Sequence, residues 1–198
     1  MKNDIVKSTG KKFENEIENI FLLFDKFSDN IFEKEFLNVY KYYEYIKMNN
    51  HIDFNQSIQD NENKILLFKN FPTGNALSEK TEFCIFNKID NAIDKWRTEC
   101  KFQKVSGSTN KKIGHEFSHY RDNKIASKET HFVLVYGGSF YEKRTDVIKD
   151  TLKSIQYDFE VLFLSVPQFK EFLTDYLNAE SNISEVFKKH HAIIMKNL

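Results

Sequence analysis

The chain has 198 residues, 40% of them hydrophobic and 15% aromatic, with phenylalanine alone supplying 20. That composition excludes a disordered chain and supports a buried core. No apolar run reaches the length of a membrane span and residues 1–10 lack the apolar stretch of a signal peptide, so a soluble cytoplasmic protein is expected.

The formal net charge is zero, which excludes a uniformly basic partner for nucleic acid but not a single basic face. Two cysteines, Cys84 and Cys100, are too few for a disulfide framework or a four-thiolate zinc site.

After Gly10, the apolar residues Phe13, Ile17, Ile20, Phe21, Phe24 and Phe27 recur at the spacing of an amphipathic helix. Residues 31–48, dense in aromatics from Phe32 to Tyr45, predict a second helix that serves as core or dimer surface. Polar residues 53–63 read as loop and 64–71 as a short strand, and Pro72, Gly74 and Asn75 mark a turn. Residues 82–87 and 96–103 predict a strand hairpin joined by the polar stretch 88–95. The Ser106–Asn110 turn caps a helix starting near Lys111.

Residues 131–136 form an apolar strand closed by Gly137 and Gly138, followed by a helix over 142–154 and a strand over 159–166. Pro167 opens a further helix to about Leu177, and a last helix covers 183–195. The expected fold is α/β: a mixed sheet flanked by helices, in one domain over 1–198 with extra helices near 31–48 and 183–195.

The chemistry concentrates in the strand around Glu99 and Lys101. Residues two apart on a strand share a face, so these two side chains stand together while Cys100 points away. A carboxylate beside an ammonium suits metal-assisted phosphodiester hydrolysis: the acid holds Mg²⁺, and the lysine orients or deprotonates water or steadies developing charge.

A second acid must stand nearby, and Glu82, Asp90 and Asp94 all precede the pair closely. In a hairpin turning near Asp90, Glu82 falls opposite Glu99, with β-carbons about 5 Å apart on one face. Asp90 would lie in the turn and Asp94 beside the start of the second strand. The same register puts Cys84 and Cys100 on opposite faces, which excludes a disulfide.

Taken together, Thr81-Glu82-Phe83, the hairpin, Glu99-Cys100-Lys101-Phe102-Gln103 and the Ser106-Gly107-Ser108 turn resemble the PD-(D/E)XK nuclease superfamily, in particular its restriction-endonuclease-like and phage-encoded members. Gly10-x-x-Phe13-Glu14 is similar to the first-helix signature of that family, in which a glutamate joins the metal site. The resemblance implies an α-β-β-β-α-β core. It implies Mg²⁺, with Mn²⁺ as substitute, held by Glu82, Glu99, Glu14 and the Cys100 carbonyl, and Lys101 acting on the water. It further implies DNA contacts from Gln103, Lys104, Ser106, Ser108 and Lys112.

Glu82 stands where the family commonly has Asp, no proline precedes it, and Lys111 stands where an acid is expected. Residues 104–128 carry six basic side chains against two acidic ones, a basic flank directly after the expected site. The expected function is a Mg²⁺-dependent DNA endonuclease of restriction or anti-phage defence. Cutting both strands of double-stranded DNA calls for a twofold homodimer.

One other motif competes. His115-Glu116-Phe117-Ser118-His119 is an H-E-x-x-H, the pattern of a zinc protease in which two histidines hold the metal and the glutamate activates water; Glu142 and Asp146 resemble a later third-ligand segment. A full apolar strand intervenes before that segment. A catalytically silent nucleic-acid- or protein-binding module is the remaining alternative. His190 and His191 read as a pair at a helix end, and Trp96 as core.

Overall fold

The computed structural model describes residues 2–28, 31–32, 65–72, 80–89, 92–103, 115–118, 120–121, 129–143, 150, 161–179 and 182–197. Helix α1 (Lys2–Leu22) and the short α2 (Asp25–Ser28) precede β1 (Ile31–Phe32), β2 (Ile65–Pro72), β3 (Lys80–Ile89) and β4 (Ala92–Phe102). Helical backbone over 115–118 and 120–121 comes next, followed by β5 (His131–Gly137), α3 (Ser139–Lys143), β6 (Val161–Ser165), α4 (Val166–Asn178) and α5 (Ile183–Asn197).

The six strands hydrogen-bond in chain order: β1–β2 and β5–β6 parallel, β2–β3 and β3–β4 antiparallel. This is a mixed sheet with flanking helices, the expected α/β class. With α2 and β1 set aside, α1, β2, β3, β4, the helical residues 115–118 and 120–121, and β5 follow an α-β-β-β-α-β order. Among the described residues no helix is long and apolar enough to cross a membrane.

The chain divides into two compact units, Met1–Ile20 with Glu99–Asp122 and Phe132–Leu198, and Phe21–Thr98 with Asn123–His131. In the second unit, β3 and β4 pair from Phe83↔Thr98 to Ile89↔Ala92. Ile85 faces Trp96 across the hairpin, and both are fully buried. Phe21 packs on Phe27 and Phe83, at 5.3 and 5.2 Å between ring centres.

Asn70 has φ 54°, a left-handed backbone that asparagine tolerates better than most residues. It interrupts the alternation of β2, so that Phe68 and Phe71, three apart, both meet Phe86. Lys95 extends its ammonium over this cluster, 5.2 Å from Phe71 and 5.4 Å from Phe86. Two residues on, Arg97 meets Glu129 at 3.1 Å with both side chains buried.

In the first unit, the α1 stripe predicted from sequence is buried at Phe13, Ile17 and Ile20. Phe13 packs on Phe102 at 5.3 Å. The helix starts earlier than expected and runs through Gly10. Strands β5 and β6 bury Phe132 to Val135 and Val161 to Leu164, and α4 and α5 pack on β6 and on each other.

Ser165 ends β6 and is at once the N-cap of α4, where Gln168 Oε1 accepts both its N–H (2.9 Å) and its hydroxyl (2.8 Å). Pro167 lies in the first turn, as predicted, because proline has no N–H to lose there.

Several expectations change. Ile31 and Phe32, expected to open a helix, form β1 and pair with Leu67 and Phe68; the open edge of β2 offers their backbone a ladder, and both residue types favour strand. The rest of the expected 31–48 helix lies outside the described residues. Pro72 closes β2 opposite Lys80 instead of starting the turn. The helix expected at 142 begins at Ser139.

Histidine 190 is not at a helix end. α5 continues to Asn197, and His190 is buried with Nε2 at 2.7 Å from Asp175, against the Phe172 ring. Its partner lies on another helix, so local sequence gave no hint of it.

Candidate active site

Glu99 and Lys101 sit on one face of β4, and their charged ends meet at 3.5 Å (Lys101 Nζ to Glu99 Oε2). Phe102, next after Lys101, turns to the other face and packs on Phe13. Glu99 is buried and Lys101 half-buried, so the pair is only partly screened by water.

A third side chain joins them. Glu116 Oε1 lies 3.2 Å from Lys101 Nζ, closer than Glu99 does. Glu116 arrives on the helical segment at 115–118, which is fixed by its neighbours. Phe117 is edge-on to Phe132 at 5.6 Å and Tyr120 stacks on the same ring at 5.0 Å. His115, by contrast, is exposed.

Tyr141, on α3, is buried. Burial pushes its phenol well above the ordinary range, and the Lys101 charge pulls partly in the other direction. The glycine pair at the end of β5 makes the docking of α3 possible. Gln103 N–H donates to the Gly137 carbonyl (3.0 Å) and Phe140 N–H donates to the Gln103 carbonyl (3.2 Å), tying the end of β4 to the start of α3. Gly138 has φ +95°, and a β-carbon there would lie 2.3 Å from the Gln103 oxygen. Only glycine permits that approach.

Glu82 is half-buried on β3, in the second unit. The hairpin pairs Phe83↔Thr98, Cys84↔Arg97 and Ile85↔Trp96 lie within that unit. Thr81, beside Glu82, donates its hydroxyl to the Thr98 carbonyl at 3.2 Å. Asp94, weighed against Glu82 as the second acid, is engaged elsewhere. It accepts from the Thr130 hydroxyl, and His131 Nδ1 lies 3.5 Å from it.

Glu14 is half-buried on α1, whose Phe13 covers the face of β4 opposite to Glu99 and Lys101. Gln103 is half-buried at the end of β4. Lys104, Ser106, Ser108, Lys112, His119 and Asp146 lie outside the described residues, and Glu142 falls in α3. Neither cysteine forms a disulfide, and both are buried. A pocket of about 340 Å³ bounded by Phe13, Phe102, Tyr136 and Ser165 includes none of the charged groups of this site.

Among the described residues no group of three or more His, Cys, Asp or Glu side chains is arranged to hold a metal ion. The donor chemistry nevertheless suits a hard cation. Buried Glu99 offers carboxylate oxygen, and Mg²⁺ is typically held by one or two carboxylates, with water and substrate phosphate completing its shell. Sequence reasoning found Glu99 and Lys101 but placed Glu116 in the H-E-x-x-H motif. Glu116 carries no local signal of its pairing with Lys101, because it reaches that side chain only through the tertiary fold. Compared with known protein families, with curated proteins and with solved structures, the chain matches none.

Proposed function

We propose that this protein is a Mg²⁺-dependent endodeoxyribonuclease of PD-(D/E)XK type, acting in the cytoplasm as a homodimer on double-stranded DNA in restriction or related anti-phage defence. The observation that carries this reading is the Glu99–Lys101 pair, 3.5 Å apart on one face of β4 and sheltered from water. The second acid in this reading is Glu82, as the sequence resemblance implies.

In this reading Glu82 and Glu99 hold the cation, which when bound neutralises phosphate charge and acidifies water. Lys101 keeps a positive hydrogen-bond donor at the scissile phosphate, where it orients the attacking water or steadies the negative charge that builds up on the phosphoryl oxygens. Fixing Glu99 and Lys101 on adjacent same-face positions of a paired strand pre-organises them, because strand geometry leaves only side-chain torsions to adjust. The basic residues of 104–128 supply phosphate contacts that steer and position the duplex.

Nothing specific favours the protease alternative. Its required base, Glu116, is turned to Lys101 at 3.2 Å. The decisive assay incubates wild type and Lys101→Ala with unmodified plasmid and phage DNA in Mg²⁺. Wild type is expected to give discrete fragments, and the variant to lose at least about a hundred-fold in rate, the scale of one transition-state donor. Absence of cutting by wild type with both Mg²⁺ and Mn²⁺ across several DNAs overturns the proposal.

A further inference from the structure

Lys101 and a divalent cation draw on the same carboxylate. In the structure the Lys101 ammonium stands 3.5 Å from Glu99, so any cation taken up by Glu99 enters against a positive charge already at its side. A second anion that holds the ammonium relieves this competition. Glu116 is that anion, at 3.2 Å the nearer of the two carboxylates.

We propose that Glu116 is a positioning residue: it holds Lys101 away from full pairing with Glu99 and so keeps Glu99 open to the metal. This rests on the nuclease reading above and adds a residue that the catalytic pattern does not contain.

Two observations support it. First, Glu116 is mounted rigidly, since Phe117, next in sequence, and Tyr120 are both buried against Phe132. Second, the side chains of Glu99, Lys101 and Glu116 are 10%, 21% and 25% exposed, so their charges interact through a medium less screening than bulk water.

The test measures Mn²⁺ binding directly, by titration calorimetry and by the resonance signal of free Mn²⁺, on the full chain without DNA. Glu116→Gln is expected to weaken Mn²⁺ on the order of ten-fold, the usual scale for a group that orients a metal ligand. Glu116→Asp is expected to recover most of the loss. In a Lys101→Met background, Glu116→Gln is expected to change Mn²⁺ affinity little, because the competing ammonium has gone. With wild-type circular dichroism as the check on folding, DNA cleavage by Glu116→Gln is expected to return toward wild type as Mn²⁺ is raised to saturation.

Glu116→Gln with wild-type Mn²⁺ affinity overturns this inference and leaves the nuclease reading standing. So does an undiminished loss in the Lys101→Met background, which would make Glu116 a ligand in its own right. Wild type that neither binds Mn²⁺ nor cuts DNA removes both.

Discussion

Replacing Glu129 by glutamine tests how much of the fold depends on buried charge in β4. Arg97 and Glu129 meet at 3.1 Å with side chains 2% and 0% exposed. At that distance the gross attraction is roughly 5 kcal/mol for an effective dielectric near 20. The measured loss follows instead from leaving one charge buried without its counter-ion, about 3–5 kcal/mol for such pairs.

The contact is ionic more than an aligned hydrogen bond, since among the described residues neither Glu129 oxygen has a hydrogen-bond partner, which points to the low end, about 3 kcal/mol. With a urea m-value on the order of 2 kcal/mol/M, the unfolding midpoint moves down by about 1.5 M. Salt should alter the difference little, because buried pairs are weakly screened. Replacing both partners, Arg97→Met with Glu129→Leu, is expected to recover most of the loss, since apolar side chains of similar volume remove the desolvation cost. A midpoint shift below about 0.5 M for Glu129→Gln would show that the pair is not the buried, mutually dependent unit described.

Three further outcomes are expected. Gly138→Ala, which forces a β-carbon to 2.3 Å from the Gln103 carbonyl at φ +95°, should cost at least about 2 kcal/mol by thermal or urea unfolding; a neutral result refutes the close approach. Burial pushes the Cys84 thiol from 9.0 to about 12, with Lys95 and Arg97 opposing the shift and Glu129 adding to it. Native Cys84 should therefore resist iodoacetamide at pH 8 until the chain unfolds. Because the unfolded thiol ionises first, this group's stability contribution is intact below pH 9.0 and declines as pH rises toward about 12; rapid labelling of the native protein contradicts the burial.

Asp175 is held below the usual carboxylate value by its hydrogen bond from Lys189, which outweighs burial, with His190 acting in the same direction. Its contribution to stability is present above pH 3.8 and is lost as pH falls through the lowered folded value. Asp175→Asn should flatten that acid limb in a pH series of unfolding midpoints, and an unchanged limb refutes the assignment.

Helical period made the α1 stripe and α4 legible, alternation the β3–β4 hairpin, and short apolar runs β2 and β5. The polar stretch 88–95 was misread as connection for a physical reason. Lys95 is buried with its ammonium over two rings, and Asp94 is satisfied by Thr130, 36 residues away. Polar side chains with distant partners look like loop to any local rule. The same holds at the site. Glu99 and Lys101 share a strand and could be paired on paper, whereas Glu116 reaches Lys101 only once Phe117 and Tyr120 lie on Phe132. His190 escaped for want of any local trace of Asp175.

Ser165 belongs to β6 and to the cap of α4 at once, so the chain has no slack between them. Adding a single residue there would turn the helix by about 100° and shift it by about 1.5 Å. That rotation would carry Phe169, Phe172, Leu173 and Tyr176, all fully buried, off the surface they cover. At this junction the number of residues is constrained more tightly than their identity. Descendants of this sequence are expected to vary Val166 freely while never gaining or losing a position beside it.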